Sequence, residues 1–134
     1  MITKEELTTA AKPCMKEKGY KKRSTTWTKK ADDEISLVVN IQGSQYNKAD
    51  FYINLGIYIH ALGTKEQPSI SDCQMRERIN TPVDTVDLFC SIVDKWEDWY
   101  GTYPKIYERV LQGKTPQLTA KNVYAYFMVK GNKA

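Results

Sequence analysis

The residues that most restrict this chain are two segments of alternating character, Ile35–Gln42 and Phe51–His60. Successive side chains of a β-strand point to opposite faces, so a period of two sorts residues into two sets. Leu37, Val39 and Ile41 form an apolar set in the first segment, and Phe51, Ile53, Leu55, Ile57 and Ile59 form one in the second. Two such strands need a covering layer on their apolar side. This excludes an all-helical bundle and predicts a sheet packed by helices.

The opposite sets carry the chemistry. Asn40, Gln42 and Ser44 share a face, and so do Tyr52, Asn54, Tyr58 and His60, with Gly56 leaving a gap. A hairpin centred near Asn47 places Asn40 opposite Asn54 and Gln42 opposite Tyr52. Opposed residues have Cβ atoms roughly 4.5–5.5 Å apart, so the amides form one patch. A further strand within "CQMRERIN" turns Cys73, Met75 and Ile79 inward and Arg76, Arg78 and Asn80 outward, so that Arg76 and Arg78 extend the patch. Amides offer both donors and acceptors, and an Arg offers a planar fork for carboxylate or phosphate. An antiparallel sheet ordinarily keeps one face wet, which is the plain reading of this patch. Asn is depleted in strands, however, which favours a bound partner or a fixed internal network.

Helices flank the strands. Thr3 and Glu6 have the spacing of a capping box, and Leu7, Ala10, Ala11, Cys14 and Met15 recur at helical spacing. Pro13 predicts a kink or break, and Gly19 a stop. Tyr20–Lys30 reads as one edge strand, guarded by lysines. "ADDE" reads as a turn, with Asp32, Asp33 and Glu34 as solvated carboxylates. Val83–Tyr100 reads as a helix that frays over "DKWEDWYG", and Pro104–Gln112 as a short helix. Thr119–Lys130 has strand-like composition in "VYAYFMV" but reads as a helix capped by Thr119 and ended by Gly131. The expected fold is α+β: a meander of about four antiparallel strands, preceded by an N-terminal helix and packed by C-terminal helices.

A length of 134 residues fits one domain spanning the chain. The longest apolar run, Val123–Val129, is far short of the roughly 20 residues that cross a bilayer, so no membrane partner is expected. The opening "MITKEELTTAAK" is polar and helix-like, and the expected location is the cytoplasm. The three cysteines, Cys14, Cys73 and Cys90, suit that expectation as reduced, mostly buried residues.

Net charge is a modest +4, with the cations densest in "KEKGYKKR", Lys16–Arg23. Lys18, Lys21, Lys22 and Arg23 are placed to meet nucleic-acid phosphates, with Trp27 and Tyr20 to stack bases. An ordinary solvated helix end explains the same residues. Catalysis is constrained by a single histidine, His60. A hydrolase would pair it with a cysteine, best Cys73, yet the strand phase turns Cys73 away. The cysteines and His60 lack the close-spaced pair of a zinc site, and no phosphate-binding fingerprint follows a strand. Neither a metal nor a cofactor is expected. The aromatics Trp96, Trp99, Tyr100, Tyr103 and Tyr107 crowd one region and read mostly as core.

In "KPCMKEKGYKKRSTTWTK", "VVNIQGSQYN", "FYINLGIY" and "CQMRERI", over residues 8–80, the sequence resembles the DUF4304 family of bacterial proteins. Tyr20 stands where that family tends to have Phe, and Asn80 where it tends to have Gly. The resemblance implies a small α+β bacterial protein and no established activity. The resulting expectation is a non-catalytic module that binds a protein or peptide of acidic character through the sheet's polar face. An immunity-like or antitoxin-like role is its specific form, by analogy. The alternative is a nucleic-acid-binding protein using Lys16–Arg23.

Overall fold

The computed structural model describes residues 2–44, 50–79 and 82–130. Asn47, Asn80 and Gly131 lie outside the described residues. Helix α1 spans Lys4–Glu17. Strands β1 (Lys21–Arg23), β2 (Thr26–Lys30), β3 (Ile35–Gly43), β4 (Phe51–Ile59) and β5 (Met75–Ile79) follow. Then come helices α2 (Val86–Tyr100) and α3 (Tyr103–Leu111), strand β6 (Leu118–Thr119) and helix α4 (Lys121–Lys130). The sheet order is the chain order, β1 to β6, and every neighbouring pair is antiparallel.

Six strands stand where about four were expected, because both edges are short. Tyr20–Lys30 is two strands, folded back at Ser24, whose φ of 57° turns the chain. Such a φ is uncommon outside Gly, and Ser tolerates it only locally. At the other edge, Thr119 pairs with Met75 in β6 and its hydroxyl donates to Pro116 O at 2.9 Å, while α4 begins at Lys121, so that Ala120 and not Thr119 holds the cap position. The helix beyond it is present, as expected.

The apolar set falls where period-two alternation put it. Trp27, Leu37, Val39, Ile41, Ile53, Leu55, Ile57 and Met75 are buried on one side of the sheet. Leu7, Ala11 and Met15 of α1, Phe89, Val93 and Trp96 of α2, Ile106 and Val110 of α3, and Val123 and Phe127 of α4 join the same core. Each fully buried side chain of this size contributes about 1.5–3 kcal/mol. Tyr100 and Tyr103 are buried as well, so the tail of α2 is a packed end and does not fray.

Thr3 caps α1 reciprocally with Glu6, at 3.1 and 3.0 Å. The helix continues through Pro13 instead of breaking. An interior proline typically costs about 3 kcal/mol. Here it sits exposed near the helix end, between the buried anchors Ala11 and Met15. Asp32 is not a solvated carboxylate. Its Oδ1 accepts from the backbone N–H groups of Glu34 and Ile35, and its Oδ2 from that of Tyr103 at 2.8 Å, which ties the β2–β3 turn to the start of α3.

The expectation of three reduced cysteines is also corrected. Cys14 and Cys90 form a disulfide that joins α1 to α2 across 76 residues, and Cys73 alone is a thiol. Helical spacing had put Cys14 on an apolar stripe, but pairing between distant helices is not readable from spacing. The bridge also removes the cysteine argument for a reducing compartment. Among the described residues, no helix is long and apolar enough to cross a membrane.

Closing so long a loop restricts the unfolded chain. Reduction should therefore lower the free energy of unfolding by about 2–4 kcal/mol, read from urea denaturation with and without dithiothreitol. A thiol titration of the unreduced, unfolded chain should find one reactive group. Three would show that the bridge is absent.

Candidate functional site

The polar face of the sheet is the candidate site, and it has two parts of different chemistry. β3 and β4 pair with Asn40 opposite Asn54 and Gln42 opposite Tyr52, as the hairpin reading placed them. Arg78 lies opposite Asn54 on β5, and Thr26 opposite Asn40 on β2. A row of polar side chains thus crosses four strands.

These groups bond chiefly to one another. Asn40 Nδ2 donates to Thr26 Oγ1 at 3.0 Å. Asn54 Nδ2 donates to Asn40 Oδ1 at 3.1 Å and to Gln42 Oε1 at 2.9 Å. Arg78 Nε donates to Asn54 Oδ1 at 3.1 Å, and its Nη2 to Gln42 Oε1 at 3.2 Å. The guanidinium also lies 4.5 Å from the centre of the Tyr52 ring, a cation–π contact. Asn54, only 6% exposed, is the hub. Its amide is satisfied from within, so this half is a cross-strand network before it is a surface. Ser44 is half-buried just past β3, and its backbone N–H donates to Asp50 O at 3.0 Å.

Next to the network the chain covers its own sheet. Residues 60–74 fold back over Val38, Gly56 and Tyr58 through two short 3-10 turns, His60–Leu62 and Ile70–Asp72. The missing side chain of Gly56 admits them: a β-carbon there would lie 2.6 Å from Cys73 Sγ and 2.8 Å from Ile70 Cδ1. Tyr58 is buried beneath this segment, and its hydroxyl accepts from the Lys65 backbone N–H at 2.8 Å. Tyr58 is therefore a support and not a contact residue. Cys73 is correspondingly turned to the polar side, because β5 begins only at Met75 and its phase does not reach back. Burial pushes its thiol up to about 12, with nearby Asp72 adding to the shift, so it remains protonated. Arg76 stands half-buried opposite Gly56, beside this covered stretch.

Between the covering segment and β1–β3 lies a cleft of about 780 Å³. Lys21, Lys22, Arg23, Lys29, Lys30 and Lys65 line it, with Glu66 as its carboxylate and with Thr28, Ser36, His60 and Gln67. Arg23 spans the cleft, its guanidinium donating to the Gln67 side chain and, at 3.3 Å, to Gln67 O. Lys29 is paired with Glu97 of α2 at 3.3 Å. No carboxylate among the described residues pairs with Lys21, Lys22, Lys30 or Lys65. Six cations line the cleft against Glu66, and with Lys29 neutralised by Glu97 the lining keeps a formal +4, as large as the net charge of the whole chain. The excess positive charge of this protein is thus concentrated in one place.

His60 is part of this cleft's lining. It stands one residue past β4, yet its ring stays on the polar side, with Nε2 2.7 Å from Ser36 Oγ and its centre 5.0 Å from that of Tyr58, edge to face. Burial and the neighbouring Lys30 hold its pKa below the ordinary 6.5, with Asp32 acting weakly in the other direction.

The network unites Asn40, Gln42, Asn54, Tyr52 and Arg78, while His60 and Ser36 belong to the cleft. Of the residues suited to nucleic acid, Lys21, Lys22 and Arg23 line the cleft. Lys18 does not, being paired with Asp94 of α2. Trp27 is 1% exposed, packed against Phe89 with ring centres 5.9 Å apart, and offers no stacking surface. It lies on the apolar face because it pairs with Val39. Sequence reading missed Lys30, Ser36 and Lys65. Ser36 was accessible, since it shares its parity with Asn40 and Gln42; Lys65 depends on a fold-back that no periodicity encodes. A second cavity, about 310 Å³, lies on the helix side between α2 and β5 and is mainly apolar, lined by Leu55, Ile79, Ile92, Trp96 and Trp99 among others.

Replacing Asn54 by Ala would strip donors from Asn40 and Gln42 and the acceptor from Arg78. The expected cost is about 1–3 kcal/mol in chemical denaturation, the range for a buried polar group left unpaired. An unchanged midpoint would show that the network does not stabilise the sheet.

The sequence profile of the DUF4304 family, a domain of unknown function, matches residues 11–120, and the chain belongs to that family. No curated protein and no solved structure matches it.

Proposed function

We propose that this member of the DUF4304 family is a non-catalytic binding module that takes an acidic segment of another protein on the polar face of its sheet. The carrying observation is the cleft lined by Lys21, Lys22, Lys30 and Lys65, cations with no carboxylate partner among the described residues. Ammonium groups gathered in a concave, partly enclosed surface focus a positive potential and draw acidic partners. Neutralisation of an acidic partner, as an immunity-like protein would do, is the narrower form of this reading. The buried, protonated thiol of Cys73 and the bridging of Cys14 and Cys90 leave His60 without an activated cysteine, which favours binding over hydrolysis.

Nucleic acid is the competing anion. Its single-stranded forms are usually held by exposed aromatic platforms as well as by cations. Trp27 and Tyr20, the aromatics nearest the basic segment, are both buried, which favours the acidic polypeptide.

The test is a Lys21→Glu/Lys30→Glu/Lys65→Glu variant, titrated with poly-L-glutamate and with a single-stranded oligonucleotide in low salt. These side chains make no hydrogen bond or ion pair among the described residues, so the variant should melt like the parent. The parent should bind polyglutamate, and the variant about tenfold or more weakly, equivalent to about 1.4 kcal/mol. Oligonucleotide binding without polyglutamate binding would transfer the function to nucleic acid. Binding of neither would refute the cleft as a docking site.

A further inference from the structure

Resting on that reading, we infer that the cleft selects a phosphoryl dianion, carried by a phosphorylated side chain of the partner's segment and seated between His60 and the ammonium groups of Lys21, Lys30 and Lys65. The donors left free in the cleft are the first argument. The planar fork of Arg23, the group best matched to a carboxylate, is already engaged by Gln67. What remains are ammonium groups on three different elements and one imidazole. These are point-like donors arriving from several directions. A tetrahedral group with three acceptor oxygens can use them together, whereas a planar carboxylate has two oxygens in one plane.

Charge is the second argument. A cleft of about 780 Å³ with Lys21, Lys22, Arg23, Lys30 and Lys65 against Glu66 alone is only slightly compensated by a single carboxylate, and a dianion compensates twice as much in nearly the same volume. The state of His60 is the third. Ser36 fixes one ring nitrogen at 2.7 Å and the edge of Tyr58 fixes the ring plane, so the imidazole is held in place before any ligand arrives. The other nitrogen has no partner among the described residues. When Ser36 donates to Nε2, the proton sits on Nδ1 and is available to an anion; when the ring takes a second proton, both nitrogens donate.

The groups facing this ring are Lys30 of β2, Asp32 of the following turn, Ser36 of β3, Tyr58 of β4, and Lys65 and Glu66 of the covering segment. In the free protein the burial of the ring and the charge of Lys30 oppose its protonation. An anion seated among the lysines reverses that balance. Occupancy should therefore raise the titration midpoint of His60, by about one unit or more for a dianion in contact.

His60 is the sole histidine of the chain, so its ring C–H resonances report on the site without assignment. The experiment is a proton NMR pH titration of the whole chain alone, with O-phosphoserine, and with aspartate at matched ionic strength. A saturable upward shift of the midpoint with phosphoserine, exceeding that with aspartate, supports the inference. An equal response to both, or no response, overturns it. A Lys30→Gln/Lys65→Gln variant should lose the phosphoserine response while keeping a folded spectrum; retention of the full response would also overturn it. Polyglutamate separates the two claims. If the parent binds polyglutamate but phosphoserine leaves His60 unmoved, the phosphoryl site falls and the acidic-segment module stands. If neither acts on the cleft, both fall.

Discussion

Nine facing positions hold β3 against β4, and the rest of the molecule depends on that pairing. Because the side-chain period is two, a slip of one residue would send Leu37, Val39 and Ile41 to the wet side and bury Asn40 and Gln42 against the helices. Both consequences are costly, since apolar area would be lost and amides would enter a core with no partners. The helices are secondary to this choice. Each of the four adds apolar residues to a surface whose orientation the two central strands have already set.

The same alternation explains what could be read in advance. The paired faces, the Asn40–Asn54 juxtaposition and the apolar set follow from parity, a local property that survives folding. Other features have no local record. Ser24 turns one expected strand into two through a single backbone conformation. The cover formed by residues 60–74 depends on the absent side chain of Gly56 and on the shapes of Ile70 and Cys73 that fill its place. The Cys14–Cys90 bridge joins residues that are neighbours only once α1 and α2 lie side by side. The charge cluster was hidden for the same reason, since Lys65 reaches the cleft only when the covering segment folds back towards β1.

The two parts of the polar face illustrate how polar groups on a sheet can be divided between structure and recognition. Amides are self-complementary, each with donors and acceptors, so Asn40, Gln42 and Asn54 can saturate one another and engage Arg78 as well. Ammonium groups are donors only and repel each other. Lys21, Lys30 and Lys65 therefore gain nothing from proximity and are held near one another by the backbone that carries them. A fold that spends stability to collect such groups leaves them with unused capacity for an outside anion, more than an amide row bonded chiefly to itself.

The two margins of the sheet have a consequence for assembly. β1 is three exposed cationic residues, and β6 is two residues long. Both borders are short and β1 is wholly cationic, which gives a foreign backbone few unpaired amides to zip onto. Lengthening the sheet with another chain's strand is thereby discouraged. The broad polar face, which presents side chains, is the larger surface left open to contact.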